Sequence, residues 1–228
     1  MSHLFSRLLF AGFLAASAPS WAVAQTVAPA ETKEAAYTRT INERAGKIVD
    51  KIGPLAPATA SRVQQIIAEQ YRQLNEVHER QKTALAALKA QPKTDATAAA
   101  VKKAEDRTSH DLAKLHTRYL RRLGQQLTPA QVDQVKDGMT YGVLPITVRA
   151  YQDMLPDLTE EQKTQILVWL TEAREKAMDA GSSEQKHAWF GKYKGKINNY
   201  LSAAGINMNQ AGKDWQARRA REAADSSK

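Results

Sequence analysis

The 228-residue sequence contains no cysteine. Disulfide bonds, cysteine nucleophiles and thiolate metal sites are therefore excluded, and packing alone must hold the folded chain together. Familiar enzyme signatures are also absent: there is no His-Glu-x-x-His zinc motif, no Gly-x-Ser-x-Gly elbow, no phosphate-binding loop and no dinucleotide fingerprint. No segment alternates apolar and polar residues well enough to predict a strand. The informative features are helical periodicity and an excess of positive charge.

The N-terminus has the pattern of an export signal. Arg7 precedes an apolar run from Leu8 to Ala18 that is too short to span a bilayer, and Ala22-Val23-Ala24 has the small-x-small pattern of a cleavage site. We expect residues 1–24 to be a signal peptide cleaved after Ala24, followed by a flexible tether over residues 25–35. No later segment predicts a membrane span. The sequence therefore predicts a soluble, exported protein, either periplasmic or secreted.

Positive charge exceeds negative charge and is concentrated towards the C-terminus. The chain has 33 Lys and Arg against 24 Asp and Glu, a formal net charge of +9, and residues 184–228 carry nine against four. Such an excess often indicates nucleic-acid binding, but export would remove that partner. Anionic polysaccharides or lipid headgroups are the acidic partners expected outside the cytoplasm, and we expect no nucleic acid.

Apolar residues in the first half recur every three or four positions, which predicts amphipathic helices. A first helix would end at Gly53-Pro54. Two longer helices, over about 59–91 and 97–123, are separated by a short polar loop. Two long helices with such a loop predict an antiparallel hairpin within residues 36–124.

Capping signals mark the shorter elements of the second half. The segments 127–131 (LTPAQ) and 158–162 (LTEEQ) each fit a capping box, and residues 182–185 are a third instance. Two glycines and a proline predict an irregular connection over residues 138–146. Each capping box predicts the start of a helix.

Together these patterns predict an all-α fold. The long hairpin would be followed by a bundle of shorter helices over residues 125–205 and by a basic C-terminal helix or tail over residues 206–228. The length of the chain suits one compact domain.

The segment KHAWFGKYKGKINNYL, residues 186–201, is dense in cations and aromatic residues. On a helical wheel, one arc holds the side chains predicted to be buried: Trp189, Phe190, Tyr193, Ile197, Tyr200 and Leu201. The remaining arc holds His187, three lysines and two asparagines. Gly191 and Gly195 are costly inside a helix and indicate close approach of either another helix backbone or a flat ligand.

Acidic residues on the preceding helix leave an alternative open. Glu172, Glu175 and Asp179 could neutralise the lysines, and the basic segment would then be an internal charge match. A carboxylate pair for glycoside hydrolysis is the weaker hypothesis, because acids on an exposed helix face are usually only solvated. His110 and His116 are six residues apart, on different helical faces, and predict no metal site.

Residues 125–205 resemble a known family through two stretches, VKDGMTYGVLPITVRAYQDMLPDLTEEQ and EAREKAMDAGSSEQKHAWFGKYKGKINNYLSAAG. They are similar to the exported bacterial family called domain of unknown function 3826. The resemblance implies a small exported protein whose gene often lies beside genes for degrading pectin and other plant polysaccharides. It implies no catalytic residue. The two Leu-Thr-x-x-Gln segments are also similar to those of periplasmic chaperones of the Spy and CpxP type.

We therefore expect the protein to bind or process acidic, uronate-containing saccharides of the pectin type. A polysaccharide lyase is favoured over a glycoside hydrolase. A lyase needs cations against the uronate carboxylate, a base for the C5 proton and an acid such as tyrosine. The candidate catalytic residues are His187, Tyr193, Lys194 and Tyr141. The candidate substrate-binding residues are Trp189, Lys192, Lys196, Asn198, Asn199 and Arg149.

Other properties stay open in the sequence. Calcium could bridge substrate carboxylates, although neither a metal site in the protein nor another cofactor is predicted. The oligomeric state is not indicated. The alternative function is a periplasmic chaperone or envelope-stress protein without catalysis, which would use a broad amphipathic surface rather than a compact cluster.

Overall fold

The computed structural model describes residues 31–225, and the predicted signal peptide lies outside this range. Between these limits the chain forms eight α-helices and no strand, which confirms the predicted all-α fold. The helices are α1 Lys33–Val49, α2 Pro57–Lys89, α3 Asp95–Gly124, α4 Pro129–Met139, α5 Val143–Met154, α6 Glu160–Met178, α7 Ser183–Ala203 and α8 Met208–Asp225. Within the described range, none of them is both long and apolar enough to cross a membrane.

The first of two apolar cores lies among α1, α2, α3 and α4. The two longest helices, α2 and α3, are joined by residues 90–94 and pack against each other. Ile67 of α2, Leu123 of α3 and Val135 of α4 are completely buried in this core. Burying one such side chain stabilises the fold by about 1.5–3 kcal/mol. This core therefore determines how the hairpin helices sit against α1 and α4.

The second core lies among α5, α6 and α7, with α8 packed at its margin. Every apolar side chain predicted for the inner face of residues 186–201 packs in it. Phe190, Ile197 and Leu201 are fully buried there, whereas the tryptophan and the two tyrosines are only partly buried. The aromatic residues of this segment therefore serve mainly to fold the protein.

Side-chain caps explain where several helices begin. Thr32 accepts a hydrogen bond from the Ala35 amide, so α1 starts at Lys33 and includes residues 33–35, which the sequence pattern assigned to the tether. The capping boxes that open α4 and α6 both form. The third instance differs, because the Gln185 side chain accepts from the Gly181 amide instead of the N-cap amide.

The connection between α4 and α5 is shorter than the predicted 138–146, since only residues 140–142 lie outside the two helices. Pro145 sits in the first turn of α5, where the amide it lacks would have no intrahelical partner. The reversal is made by Tyr141 and Gly142, which both have positive φ, 60° and 66°. Tyr141 is the only non-glycine residue with positive φ in the described chain.

Charged contacts join α4 to α6 between the two cores. Arg174 of α6 is buried and donates to Asp133 and Asp137 of α4 at 2.6 and 2.9 Å. Lys136 of α4 donates to Glu175 at 3.1 Å. Burial alone would raise the pKa of Glu175, but its cationic partners hold that pKa at about 2.

The turn after α6 is fixed against the hairpin by two histidines. His116 of α3 donates from Nδ1 to Asp179 Oδ2 at 2.8 Å, and its Nε2 lies 3.4 Å from Glu175. Hydrogen bonds to these two carboxylates raise the pKa of His116 to about 9, so the imidazole is charged at neutral pH. His78 of α2 donates from Nε2 to the Asp179 carbonyl at 2.7 Å. These contacts place the start of α7 beside α1 and α2.

Candidate functional site

A cleft of about 300 Å³ opens where α1, α2 and the α4–α5 connection meet the α6–α7 turn. Its volume is at the lower end of the range for ligand pockets. We call it the cationic cleft, because the described residues that line it include four cations, three tyrosines and no carboxylate side chain. The polar residues lining it are Tyr37, Arg44, Lys47, Lys51, Tyr71, Asn75, Tyr141, Ser182, Ser183 and Lys186.

Three of the cations come from one face of α1 and its C-terminal end. Arg44 and Lys47 are three residues apart, which places them on one side of α1. Lys51 follows the C-terminal end of that helix. All three are exposed, and none makes an ion pair with any residue in the range 31–225. Unpaired cations at the mouth of a cleft attract anionic ligands.

The fourth cation, Lys186, lies at the inner end and is only 6% exposed. Its Nζ donates to the carbonyls of Ala177 and Met178, both at 3.0 Å. An ammonium group has three donors, so one is left without an acceptor among the described residues. Burial lowers the pKa of Lys186 to about 8; Asp179 opposes this shift and Arg44 adds to it. Lys186 can therefore act either as a hydrogen-bonding cation or, once deprotonated, as a base.

Two of the tyrosines in the lining come from α1 and α2. Tyr37 donates from its hydroxyl to the Tyr71 carbonyl at 3.1 Å. Burial raises the pKa of Tyr71 to about 12, although nearby Arg44 opposes the shift. Tyr71 thus keeps its proton near neutral pH and can donate it.

Tyr141 stands at the rim, 51% exposed and in a left-handed conformation. Its ring is stacked on His187, with centroids 5.5 Å apart and planes 13° apart. A left-handed conformation costs a non-glycine residue about 1–2 kcal/mol, and such strain concentrates at functional sites. The structure thus brings together two of the four candidate catalytic residues, Tyr141 and His187, beside the cleft.

A second cavity of about 610 Å³ lies on the other side of the α6–α7 turn, between α3 and α7. It contains Trp189 and Lys192, two of the candidate binding residues, together with Lys176 and His78. The Lys192 ammonium lies 5.3 Å from the centre of the Trp189 ring, within the range of a cation–π contact.

Two further candidates, Lys194 and Asn198, lie along the exposed side of α7, outside both cavities. The Tyr151 hydroxyl donates to Asn198 Oδ1 at 2.7 Å and lies 3.4 Å from the Lys194 carbonyl. The Asn198 side chain thus helps to attach α7 to α5. The Lys194 side chain is exposed.

The other candidates are also outside both cavities. Lys196 lies over the Trp169 ring, with its Nζ 4.4 Å from the ring centre. Tyr193 is partly buried, and its pKa is raised by burial and by Glu172. Asn199 and Arg149 are exposed. The sequence-predicted site is therefore divided among the cleft rim, the second cavity and the open surface of α7.

Gly191 and Gly195 do not mark a helix–helix contact. A Cβ atom built on either glycine would meet no atom of the described residues within 4 Å, and both glycines are exposed. Of the two explanations that the sequence left open, close approach of another helix is wrong.

In the part of the chain that the structure describes, the acids of α6 and its C-terminal end do not pair with Lys192, Lys194 or Lys196 of α7. Glu175 and Asp179 are engaged by His116, Lys136 and Arg174 on the side facing α3 and α4. Within the described chain, no lysine of the segment 192–196 has a carboxylate partner within ion-pair distance. The interpretation as an internal charge match therefore fails for these lysines.

Sequence reasoning missed most of the cationic cleft. Arg44 and Lys47 do share a face of α1, which was the available signal, but a shared face does not reveal which part of the protein lies opposite it. Lys186 was recognised only as one cation of the basic segment. No group of three or more His, Asp or Glu residues able to hold a metal ion occurs within residues 31–225.

Comparison with known proteins identifies the family. No curated protein matches the chain. The family model described as "Protein of unknown function (DUF3826)" matches residues 38–221, which confirms the resemblance found in the sequence and extends it over most of α1, all of α2 to α7 and most of α8. The chain therefore belongs to the DUF3826 family.

Proposed function

We propose that the protein binds acidic, uronate-containing saccharides of the pectin type in the cationic cleft. The observation that carries the proposal is the lining, which within residues 31–225 has four cations and three tyrosines and no carboxylate side chain, in a cleft large enough for a sugar. The cations would neutralise uronate carboxylates, and the exposed Tyr141 ring offers a flat apolar surface to a sugar ring. Export to a compartment that contains such polysaccharides is part of the proposal.

The same residues support β-elimination as the reaction. A base removes the C5 proton of the uronate, the C4–O bond breaks, a C4=C5 double bond forms, and an acid protonates the leaving oxygen. Lys186 in its amine form is the proposed base, and Tyr71 or Tyr141 the proposed acid. Arg44 and Lys47 would offset the charge that develops on the carboxylate. His187, stacked on Tyr141, would orient that ring.

The test is incubation of the purified protein with pectic polysaccharides and their oligomers, with and without calcium. Ultraviolet absorbance follows the unsaturated product, reducing ends follow hydrolysis, and calorimetry follows binding. We expect Lys47→Ala to weaken binding about two- to fivefold, the range for one exposed ion pair. Lys93→Ala, in the α2–α3 loop and outside the cleft lining, removes the same charge and should leave binding unchanged.

The variants separate binding from catalysis. Lys186→Met should abolish unsaturated product, and its folding is checked by thermal unfolding because Lys186 also holds two carbonyls. Lys194→Ala tests the exposed side of α7 and should leave product formation intact if the cleft is the site. Absence of binding to every acidic substrate in the panel would refute the proposal.

A second candidate function is favoured by a groove on the hairpin. A cavity of about 510 Å³ between α2 and α3 is lined by small apolar side chains, including Ala84, Ala87 and Ala100, and flanked by Arg80 and Lys103. We propose, as the alternative, that this groove holds apolar segments of unfolded proteins, as in a periplasmic chaperone. Suppression of client aggregation that is lost in Ala87→Glu but retained in Lys47→Ala would favour this function over saccharide binding.

A further inference from the structure

The cationic cleft and the second cavity are neighbours. Both are lined by Ala180, in the turn between α6 and α7, and each has residues from both halves of the molecule in its walls. The turn over residues 179–182 contributes to both linings, Asp179 and Ala180 to the second cavity and Ala180, Gly181 and Ser182 to the cationic cleft. A ligand longer than the cleft that crosses this turn therefore reaches the second cavity.

Unpaired positive charge lies on both sides of the turn. Lys176 and Lys192 line the second cavity, and neither has an ion-pair partner in the part of the chain that the structure describes. Among the described residues of that lining, the one carboxylate belongs to Asp179, which is already engaged by the charged His116 at 2.8 Å. The second cavity thus continues the positive lining of the cationic cleft.

The turn between the two cavities has small side chains and packs closely against α2. Ala180, Gly181 and Ser182 have small side chains, so these three residues place no long side chain between the two cavities. A Cβ atom on Gly181 would lie 2.8 Å from the His78 ring, which is itself held by the Asp179 carbonyl. The close fit of this turn against α2 keeps the two cavities at a constant separation.

We propose that a single extended polyanionic saccharide lies across both cavities, with carboxylates on the cations of the cleft and on Lys176 and Lys192. This inference rests on the proposed saccharide binding in the cleft and adds the ligand class: an oligomer several uronate residues long, not a monosaccharide. When two weakly binding groups belong to one chain, binding of the first holds the second near its site at a high effective concentration. The affinity of the whole chain therefore exceeds that of either group alone.

The experiment is calorimetry of the purified protein with galacturonate monomer, trimer and hexamer, each at low and high salt. We expect one hexamer per protein, bound at least about tenfold more tightly than the monomer and weakened by salt. Lys47→Ala in the cleft and Lys192→Ala in the second cavity should each lower the hexamer affinity about two- to fivefold. Lys93→Ala is the charge-matched control and should have no effect.

Each alternative outcome is distinct. Binding of two hexamers per protein would show that one saccharide does not occupy both cavities, while leaving saccharide binding in the cleft intact. The same conclusion would follow if Lys47→Ala lowered the hexamer affinity and Lys192→Ala did not. Equal binding of poly-glutamate would overturn the saccharide assignment, since the site would then recognise any polyanion. No binding of galacturonate at any length would overturn the proposed function together with this inference.

Discussion

Replacing His116 by glutamine tests whether the charged contacts of α3 with α6 stabilise the fold. Hydrogen bonds to Asp179 and Glu175 raise the pKa of His116 from 6.5 to about 9. Such a rise corresponds to about 3 kcal/mol of stability. The His116 side chain remains 22% exposed, so solvent screening reduces our expectation to about 2 kcal/mol.

The direction of the pH dependence follows from the sign of the shift. Because the pKa is higher in the folded state, the stabilisation is fully present below pH 6.5 and is lost as the pH rises through about 9. Lys186 acts in the opposite direction over part of this range, since burial lowers its pKa to about 8 and its neutral form favours folding. The informative quantity is therefore the difference in free energy of unfolding between wild type and variant, in which the Lys186 contribution largely cancels.

The assay is urea unfolding of wild type and His116→Gln at pH 6 and pH 10. We expect the variant to be about 2 kcal/mol less stable at pH 6 and nearly equal to wild type at pH 10. His110→Gln changes an exposed histidine on the same helix and is the control. A difference that is the same at both pH values would refute the reasoning, because the loss would then come from packing and not from charge.

Three further predictions concern packing and backbone strain, and urea unfolding measures the stability change in each. Gly181→Ala should destabilise the protein by about 1–3 kcal/mol, because the added methyl group meets the His78 ring. The control Gly191→Ala adds a methyl group on the exposed side of α7 and should stabilise the protein by up to about 1 kcal/mol. Equal effects of the two substitutions would contradict the close fit of the turn. Tyr141→Gly should stabilise by up to about 1 kcal/mol through relief of the positive φ, while calorimetry should show weaker saccharide binding; a loss of stability would argue against strain. Phe190→Ala should cost about 3–5 kcal/mol because the ring is 1% exposed, and a cost below about 1 kcal/mol would show that the second core is loosely packed.

Several local features could be predicted from sequence. The capping boxes at Thr128 and Thr159 form as expected, because a cap involves residues only three positions apart. The inner face of α7 packs in the second core as its periodicity indicated. The connection after α4 was predicted too long, because Pro145 was taken as a breaker although it occupies a first-turn position that tolerates proline.

The candidate site was predictable only in part. Tyr141 and His187 are far apart in sequence and were both chosen for their chemistry, yet nothing local indicated that their rings stack. The lysines of α7 were identified as exposed cations, but Lys192 lines a cavity while Lys194 does not. Arg44 was missed, since a cation on an amphipathic helix looks the same whether it faces bulk solvent or a cleft.

Hydrogen bonds within four residues and the spacing of apolar side chains are local, so the sequence alone was sufficient to identify an all-α chain, the starts of α4, α6 and α7, and the buried face of α7. The cationic cleft depends on contacts between distant segments. It exists because His78 and His116 hold the turn after α6 against the hairpin, which carries Lys186 to the face of α1 that bears Arg44. Only tertiary packing determines that Lys186 and Arg44 line the same cleft, because the stabilising contacts join residues that are far apart in the sequence.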